Sequence, residues 1–245
     1  MHEQNPYLPT QEANYGVAAL ADRIERSAFI QRTYLHLGVA VIAFVVLEAV
    51  LLTLFPPGEL LARFGTMLSG WGWLVVLGAF MVVSWIARSW AESGASPSLQ
   101  YAGLALYVVA EAVVFLPMMA YSTIVDPSIP LNAGIITAIV FGGLTAFVFL
   151  TGTDFSGLGK FLWLGGLVAM GVILAGIVLP GGFGLGLWFS AGLVVLAAGY
   201  ILYDTSNVLH HYRTDQHVAA ALALFASVAL LFWYVMRILM SLQRD

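Results

Sequence analysis

The sequence predicts an all-α membrane protein with seven transmembrane helices. Two features of composition lead to this class: 61% of the 245 residues are apolar and only 9% are charged. The third feature is the recurrence of apolar runs of about 20 residues, the length that spans a bilayer. A water-soluble domain carries about 25% charged residues, so the composition excludes a soluble enzyme and an intrinsically disordered chain. The mean hydropathy of +0.93 agrees with this reading.

The apolar runs follow one another with polar, glycine or proline residues between them. They cover about 34–55, 69–87, 99–121, 131–150, 161–179, 184–207 and 218–239. Each run is long enough for an α-helix to cross about 30 Å of hydrocarbon. Since the backbone must satisfy its own hydrogen bonds in lipid, and the runs lack the alternation of a β-barrel strand, helices are predicted for all seven.

Polar segments flank this transmembrane domain, which we place at residues 34–240. Residues 1–33 form a polar N-terminal segment, in which Ala18–Arg32 is predicted as a short surface helix, and residues 241–245 form a short C-terminal tail. The net charge of −4 and the lack of a basic stripe exclude a nucleic-acid partner. The chain contains no cysteine, which excludes disulfides and thiol chemistry.

The distribution of basic residues predicts the orientation of the bundle. One side of the membrane holds six of the nine Lys and Arg residues, namely Arg23, Arg26, Arg32, Arg88, Lys160 and Arg213. The other side holds Arg63, Arg237 and Arg244. The positive-inside rule then places the N-terminus in the cytoplasm.

Few polar groups lie at membrane depth, and each is therefore a candidate functional residue. Glu48 and Glu111 lie about 18–21 Å from the cytoplasmic edge at about 1.5 Å per residue, and they form a candidate outer cation site. Asp204 and Ser227 flank a predicted helical hairpin whose midpoint is the polar turn at 215–216, so we expect them to share a depth. Arg88 ends the second span on the same side, where an ion pair with Asp204 is geometrically allowed.

Structural explanations compete with each of these functional ones. Glu48 and Glu111 are also explained as protonated carboxyls bonded to a neighbouring helix, Asp204 as a boundary residue, and Arg88 as an interface anchor. The loop at 210–217 holds three histidines, which a solvated turn explains better than a metal site. None of the five histidines lies in the middle of a span, so the chain lacks the histidines that a hydrolase or a histidine-rich metalloenzyme would need inside the bilayer. We therefore expect no enzymatic activity.

Two motifs in the second half of the chain resemble a known family. Residues 199–205 read Gly-Tyr-Ile-Leu-Tyr-Asp-Thr, and residues 153–159 read Thr-Asp-Phe-Ser-Gly-Leu-Gly. These stretches resemble the Ile-Leu-Tyr-Asp-Thr signature and the Asp-Phe-Ser-x-Leu-Gly loop of the Bax inhibitor family, the transmembrane Bax-inhibitor-motif proteins. The resemblance covers about residues 34–239, and the N-terminal segment looks like that of bacterial members.

The resemblance implies a seven-helix bundle with the last helix at its centre, and a cation leak pathway, usually for calcium, that is gated by pH. In the family, two aspartates in the last two helices share a proton, and an arginine at the end of the second helix latches them. Asp204 matches the first aspartate and Arg88 falls next to the latch, but Ser227 stands where the second aspartate belongs. We therefore expect acid gating to be weakened or moved to lower pH, and a divalent cation to be held less well.

The sequence thus favours an integral membrane protein that passes or senses cations, either a calcium leak channel or a pH-modulated ion-homeostasis protein, with calcium as the transported ion and no other cofactor. The alternative is a non-conducting regulator that binds a membrane partner such as a quality-control protease. The style of the N-terminal segment favours the bacterial plasma (inner) membrane. The lipid bilayer and cations are the expected partners in the first case, and another membrane protein in the second.

Overall fold

The computed structural model describes residues 16–65, 71–93, 96–179 and 186–243. Within these ranges, seven helices are long and apolar enough to cross a membrane, which confirms the predicted fold class. They are α1 (Arg23–Leu54), α3 (Trp71–Ala91), α4 (Pro97–Val125), α5 (Ile129–Thr151), α6 (Gly159–Val178), α7 (Leu187–His210) and α8 (His217–Leu242). A further short helix, α2 (Pro57–Phe64), follows α1, and a single 3-10 turn (Ser156–Leu158) precedes α6.

Local sequence signals fix several helix ends. The Asp22 carboxylate accepts hydrogen bonds from the backbone N–H groups of Ile24 (2.9 Å) and Glu25 (2.8 Å), which caps the start of α1. Ser96 caps α4 in the same way through Leu99. Gly152 ends α5 in the left-handed conformation, with φ of 61°, that glycine adopts without strain.

The predicted N-terminal surface helix is wrong as a separate element. The structure has one continuous helix from Arg23 to Leu54, so α1 takes in residues 23–33 of the predicted polar segment. The physical reason is that no glycine or proline interrupts the chain between Asp22 and the first span. Four predicted stretches lie partly outside the described residues. They are the first fifteen residues of the polar segment, the start of the second apolar run, the start of the sixth apolar run and the last two residues of the tail.

Helix α2 was not predicted. It is an eight-residue amphipathic helix that begins at Pro57, a residue that favours the first position of a helix. It buries Leu60 and carries an exposed ion pair between Arg63 and Glu59 at 3.3 Å. Its length is too short to span a bilayer, so it leaves the number of spans at seven.

Close helix contacts depend on small residues. A Cβ added at Gly103 of α4 would lie 2.5 Å from the carbonyl oxygen of Ala87 and 2.7 Å from the backbone nitrogen of Ala91, both on α3. Similarly, a Cβ at Gly199 of α7 would lie 2.7 Å from Leu162 of α6. These glycines let the helix pairs α3–α4 and α6–α7 approach closely, as small residues do in membrane bundles.

Helix α8 has the most buried apolar stretch of the seven spans. In its most apolar window 72% of the residues are buried, whereas the corresponding share for α3 and for α6 is 11%. It packs against α1, α3, α4, α5 and α7. Its placement at the centre of the bundle stays a prediction.

One end of the bundle carries the α7–α8 loop, residues 211–216, and we call it the 211–216 end. The residues just before α1 are fixed to this end, because the backbone N–H of Ala18 donates to the carbonyl of Tyr212 at 2.9 Å. Arg26 on α1 donates to the carbonyl oxygen of Leu209 at 3.4 Å, and Thr214 donates to the Glu25 carboxylate. These contacts tie the start of α1 to the end of α7.

Candidate functional site

The structure brings Asp204 and Ser227 into direct contact. Asp204 lies six residues before the end of α7 and Ser227 lies ten residues after the start of α8, on the two arms of the hairpin. The Ser227 hydroxyl donates a hydrogen bond to Oδ2 of Asp204. Both residues are buried, with 8% and 5% of their surface exposed. Buried carboxylates require such donors, because burial without a hydrogen bond is costly.

Arg88 lies at the end of α3 and faces the same region. Its guanidinium carbon is 5.5 Å from the centroid of the Tyr107 ring, which is a cation–π distance. Among the described residues, no carboxylate oxygen lies within 4.0 Å of the Arg88 guanidinium. Asp204 and Glu111 are nevertheless near enough to interact with Arg88 electrostatically. The allowed Arg88–Asp204 pair is therefore not closed in this structure.

A cavity of about 590 Å³ joins these groups. Helices α3, α4, α6, α7 and α8 form its walls, and its polar lining consists of Arg88, Tyr107, Glu111, Tyr200, Tyr203, Asp204, Ser227, Tyr234 and Arg237. The cavity reaches from Arg88 to Trp73, which lie about 22 Å apart along α3 at about 1.5 Å per residue. Its volume is within the range of about 300–1,000 Å³ that is typical of ligand sites.

Glu111 and Glu48, the two predicted members of an outer cation site, have different surroundings. Glu111 lines the cavity and interacts with Tyr107, which lies one helical turn earlier on α4. Glu48 does not line this cavity. It is only 1% exposed, and neither of its carboxyl oxygens has a hydrogen-bond partner among the described residues. A joint site of Glu48 and Glu111 stays a prediction.

The Asp-Phe-Ser loop before α6 is anchored to α7 close to Asp204. The Asp154 carboxylate accepts hydrogen bonds from the backbone N–H of Ser156 (2.8 Å) and from the hydroxyl of Ser206 (3.1 Å). The backbone N–H of Phe155 donates to the same Ser206 hydroxyl at 2.7 Å. Ser206 is two residues from Asp204, so this loop supports the segment of α7 that carries the buried carboxylate.

Asp154 also contacts His211, with Nε2 3.2 Å from Oδ2. The backbone N–H of Ser156, together with these side-chain donors, holds the pKa of Asp154 well below its usual value. In the sequence alone, this stretch stands out only as a family motif. The pattern Asp-Phe-Ser does contain a local signal, since an aspartate that accepts from the backbone two residues later forms an Asx turn.

The described residues contain no group of three or more His, Asp or Glu side chains placed to hold a metal ion. The loop histidines instead make ring contacts, such as that of His36 with His217 at 5.0 Å between centroids.

Fold and cavity together define a polytopic α-helical membrane protein with buried ionisable groups inside its bundle. The family model described as "Inhibitor of apoptosis-promoting Bax1" matches residues 26–244. The chain therefore belongs to the Bax inhibitor family, which confirms the resemblance carried by its motifs.

Relatives from plants, fungi and bacteria show similarity over about half of the chain. LIFEGUARD 3 of Arabidopsis thaliana is 32% identical over 117 residues, which are 46% of this chain and 47% of that protein. Bax inhibitor 1 of Schizosaccharomyces pombe is 33% identical over 123 residues, 50% of this chain and 46% of that protein. An uncharacterized protein of Pseudomonas aeruginosa is 34% identical over 111 residues, 45% of this chain and 49% of that protein. The matched stretch thus covers about half the length of each relative.

Proposed function

We propose that this protein is a membrane cation leak pathway for calcium, in which Asp204 contacts the ion. The observation that carries the proposal is a buried carboxyl, 8% exposed, on the wall of a cavity of about 590 Å³ between transmembrane helices. An ionisable group at membrane depth costs at least about 2.5–3.5 kcal/mol on insertion scales, so it is retained for a purpose. No enzymatic step belongs to this proposal.

The oxygen chemistry of the cavity suits a hard cation that binds weakly. Calcium prefers carboxylate, hydroxyl and carbonyl oxygens, and the lining offers the carboxyls of Asp204 and Glu111. Conduction requires a site weak enough for the ion to leave. A single carboxylate at each of two depths meets that requirement better than a closed cage of several carboxylates.

Arg88 is the proposed latch of this pathway. It lines the cavity, contacts the Tyr107 ring and interacts electrostatically with Asp204. A side chain this long reaches different partners by changing rotamers, so a movement from Tyr107 to Asp204 would place its positive charge at the ion position. We propose that this movement closes the pathway.

Ser227 sets the proposed response to acid. A pair of carboxylates shares a proton because both cannot be ionised at close range. Ser227 offers Asp204 a neutral hydroxyl instead. The proposed acid dependence is therefore weaker, or lies at lower pH, than that of a site with two carboxylates.

We place the protein in a bacterial plasma membrane with its N-terminus, and hence the 211–216 end, in the cytoplasm. The excess of Lys and Arg at this end supports the orientation. Since the chain has no cysteine, single-cysteine variants can test it. An impermeant thiol reagent added outside intact cells should label Ser128→Cys and leave Lys160→Cys unlabelled, and the opposite pattern would reverse the orientation.

Calcium flux tests the leak itself. Purified protein in liposomes that contain a calcium indicator should raise the rate of calcium entry over that of protein-free liposomes. One observation favours the alternative of a non-conducting regulator of a membrane protein such as a protease: the Ser227 hydroxyl satisfies Asp204 without an ion. Absence of flux, together with co-purification of a membrane protease, would support that alternative.

A further inference from the structure

The cavity is open toward the bilayer on one side. Helices α3 and α6 both contribute to its walls, but in the described part of the chain they are not among the helix pairs that pack extensively. Met81, on the α3 side of this gap, keeps 59% of its surface exposed. The gap between α3 and α6 therefore gives a molecule dissolved in the bilayer a lateral route into the cavity.

Aromatic rings line the half of the cavity that lies away from the 211–216 end. Trp73 of α3 stacks on Trp233 of α8 with ring centroids 6.2 Å apart and an interplanar angle of 16°. Phe115 of α4 meets Trp233 edge to face at 4.8 Å and 85°. All three residues line the cavity. We call this group the Trp73–Phe115–Trp233 cluster.

A buried carboxyl adjoins this cluster. Glu111 lies one helical turn before Phe115 on α4, which places both on the same face of the helix. Glu111 is 7% exposed and lines the cavity. Aromatic faces beside a carboxyl are the general means by which proteins recognise organic cations, with tryptophan the strongest ring.

The two cationic side chains of the lining lie on either side of the cluster and have contacts of their own. Arg88 lies toward the 211–216 end, over the Tyr107 ring, where it also interacts with Asp204. Arg237 lies one turn beyond Trp233 on α8 and interacts with Tyr234. Glu111 is therefore the acidic lining residue nearest to the cluster along the helices, one turn from Phe115, and Arg237 lies one turn from Trp233 on the other side of the cluster.

We propose that this cavity binds a lipophilic organic cation, such as a quaternary ammonium or phosphonium compound, which enters between α3 and α6. The charged centre lies between Glu111 and the Trp73–Phe115–Trp233 cluster, and the apolar groups face the α3 and α6 walls. Binding uses the cavity of the proposed ion pathway but does not require that ions pass.

Tetraphenylphosphonium and tetraphenylborate provide a matched pair of probes, since they share shape and differ in the sign of charge. Binding of each is measured by equilibrium dialysis against full-length protein in nanodiscs, with empty nanodiscs subtracted. Tetraphenylphosphonium should bind with at least about tenfold higher affinity than tetraphenylborate. Glu111→Gln should weaken its binding by about tenfold or more, as removal of a charged partner does. Trp233→Leu should also weaken it, and Glu48→Gln, a buried carboxyl outside the cavity, should not.

Equal or tighter binding of tetraphenylborate would overturn the proposal and indicate an anion site at the arginines. Unchanged tetraphenylphosphonium affinity in Glu111→Gln would overturn it as well. Thermal unfolding of each variant separates a lost site from a lost fold. The binding assay and the calcium flux assay have separate readouts. A negative result in one therefore does not decide the result of the other, and the two proposals are judged separately.

Discussion

Replacement of Ser227 by aspartate tests the structural basis of acid sensitivity. The Ser227 hydroxyl already contacts Oδ2 of Asp204, so the variant Ser227→Asp places a second carboxylate against the first. Both positions are buried and both line the cavity. The variant therefore sets two carboxylates against each other at a place shielded from bulk water.

The expected effect is large compared with thermal energy. Two unit negative charges about 3 Å apart repel by about 5 kcal/mol at an effective dielectric constant of about 20. Since about 1.4 kcal/mol corresponds to a factor of ten, the doubly ionised pair is strongly disfavoured, and one of the two carboxyls should take up a proton as the pH falls from about 8 to about 6 instead of at about 4. Acidification supplies that proton, which then takes the place of the calcium ion.

Calcium flux into liposomes, measured across about pH 6 to 8, tests this reasoning. The flux of Ser227→Asp should fall by about tenfold or more as the pH falls, and the wild type should change less. Ser227→Asn is the matched control, since it is of similar size and uncharged. A flat profile for Ser227→Asp in folded protein, or an equally steep one for Ser227→Asn, would refute the reasoning.

Two further predictions concern stability. Gly103→Ala should lower the free energy of unfolding by about 1–3 kcal/mol, because its Cβ would lie 2.5 Å from the Ala87 carbonyl oxygen. Thermal unfolding in detergent measures this effect, and Gly38→Ala is the control because its Cβ would meet no atom within 4 Å. An equal loss of stability in both variants would contradict the prediction. Asp154 has a pKa held below its usual value, so its ionised carboxylate stabilises the folded state. This contribution to folding stability is fully present above the unfolded-state pKa of about 3.9 and disappears as the pH falls toward the folded-state pKa. Wild type should therefore be more stable than Asp154→Ala at neutral pH, by at most about 1 kcal/mol at this exposed position, and the difference in unfolding temperature should shrink below about pH 4; a difference that grows on acidification would contradict this.

The number of spans and the shared depth of Asp204 and Ser227 follow from the sequence because both depend on distance along the chain. Long apolar runs specify helices in lipid. Two residues at matched distances from the turn of a helical hairpin must lie at the same depth, and the hydrogen bond from Ser227 to Asp204 shows that they also face each other.

The direction in which a side chain points is harder to predict for these helices. Helices α1 and α4 are apolar around most of their circumference, so their sequences contain no polar stripe that shows which face is buried. Glu48 and Glu111 were therefore predicted at a common depth, but only Glu111 lines the cavity. The contact of Arg88 with Tyr107 likewise depends on tertiary packing between α3 and α4.

The end of α1 and the short helix α2 show a second structural feature that is hard to predict from the sequence. The pair Pro56-Pro57 follows directly on the end of the first span, and Pro57 also starts a new helix. Proline at the first helical position has the φ angle that the helix needs. A stop signal for one helix and a start signal for the next thus coincide in the same residues.

Calcium flux through Asp204→Asn is the most direct test of the account, with Glu59→Gln as a control carboxyl that lies on α2 outside the cavity. Liposomes with equal amounts of folded protein should show a calcium entry rate at least about tenfold lower for Asp204→Asn than for wild type, and a wild-type rate for Glu59→Gln. A wild-type rate in Asp204→Asn would contradict the claim that this carboxyl carries the ion.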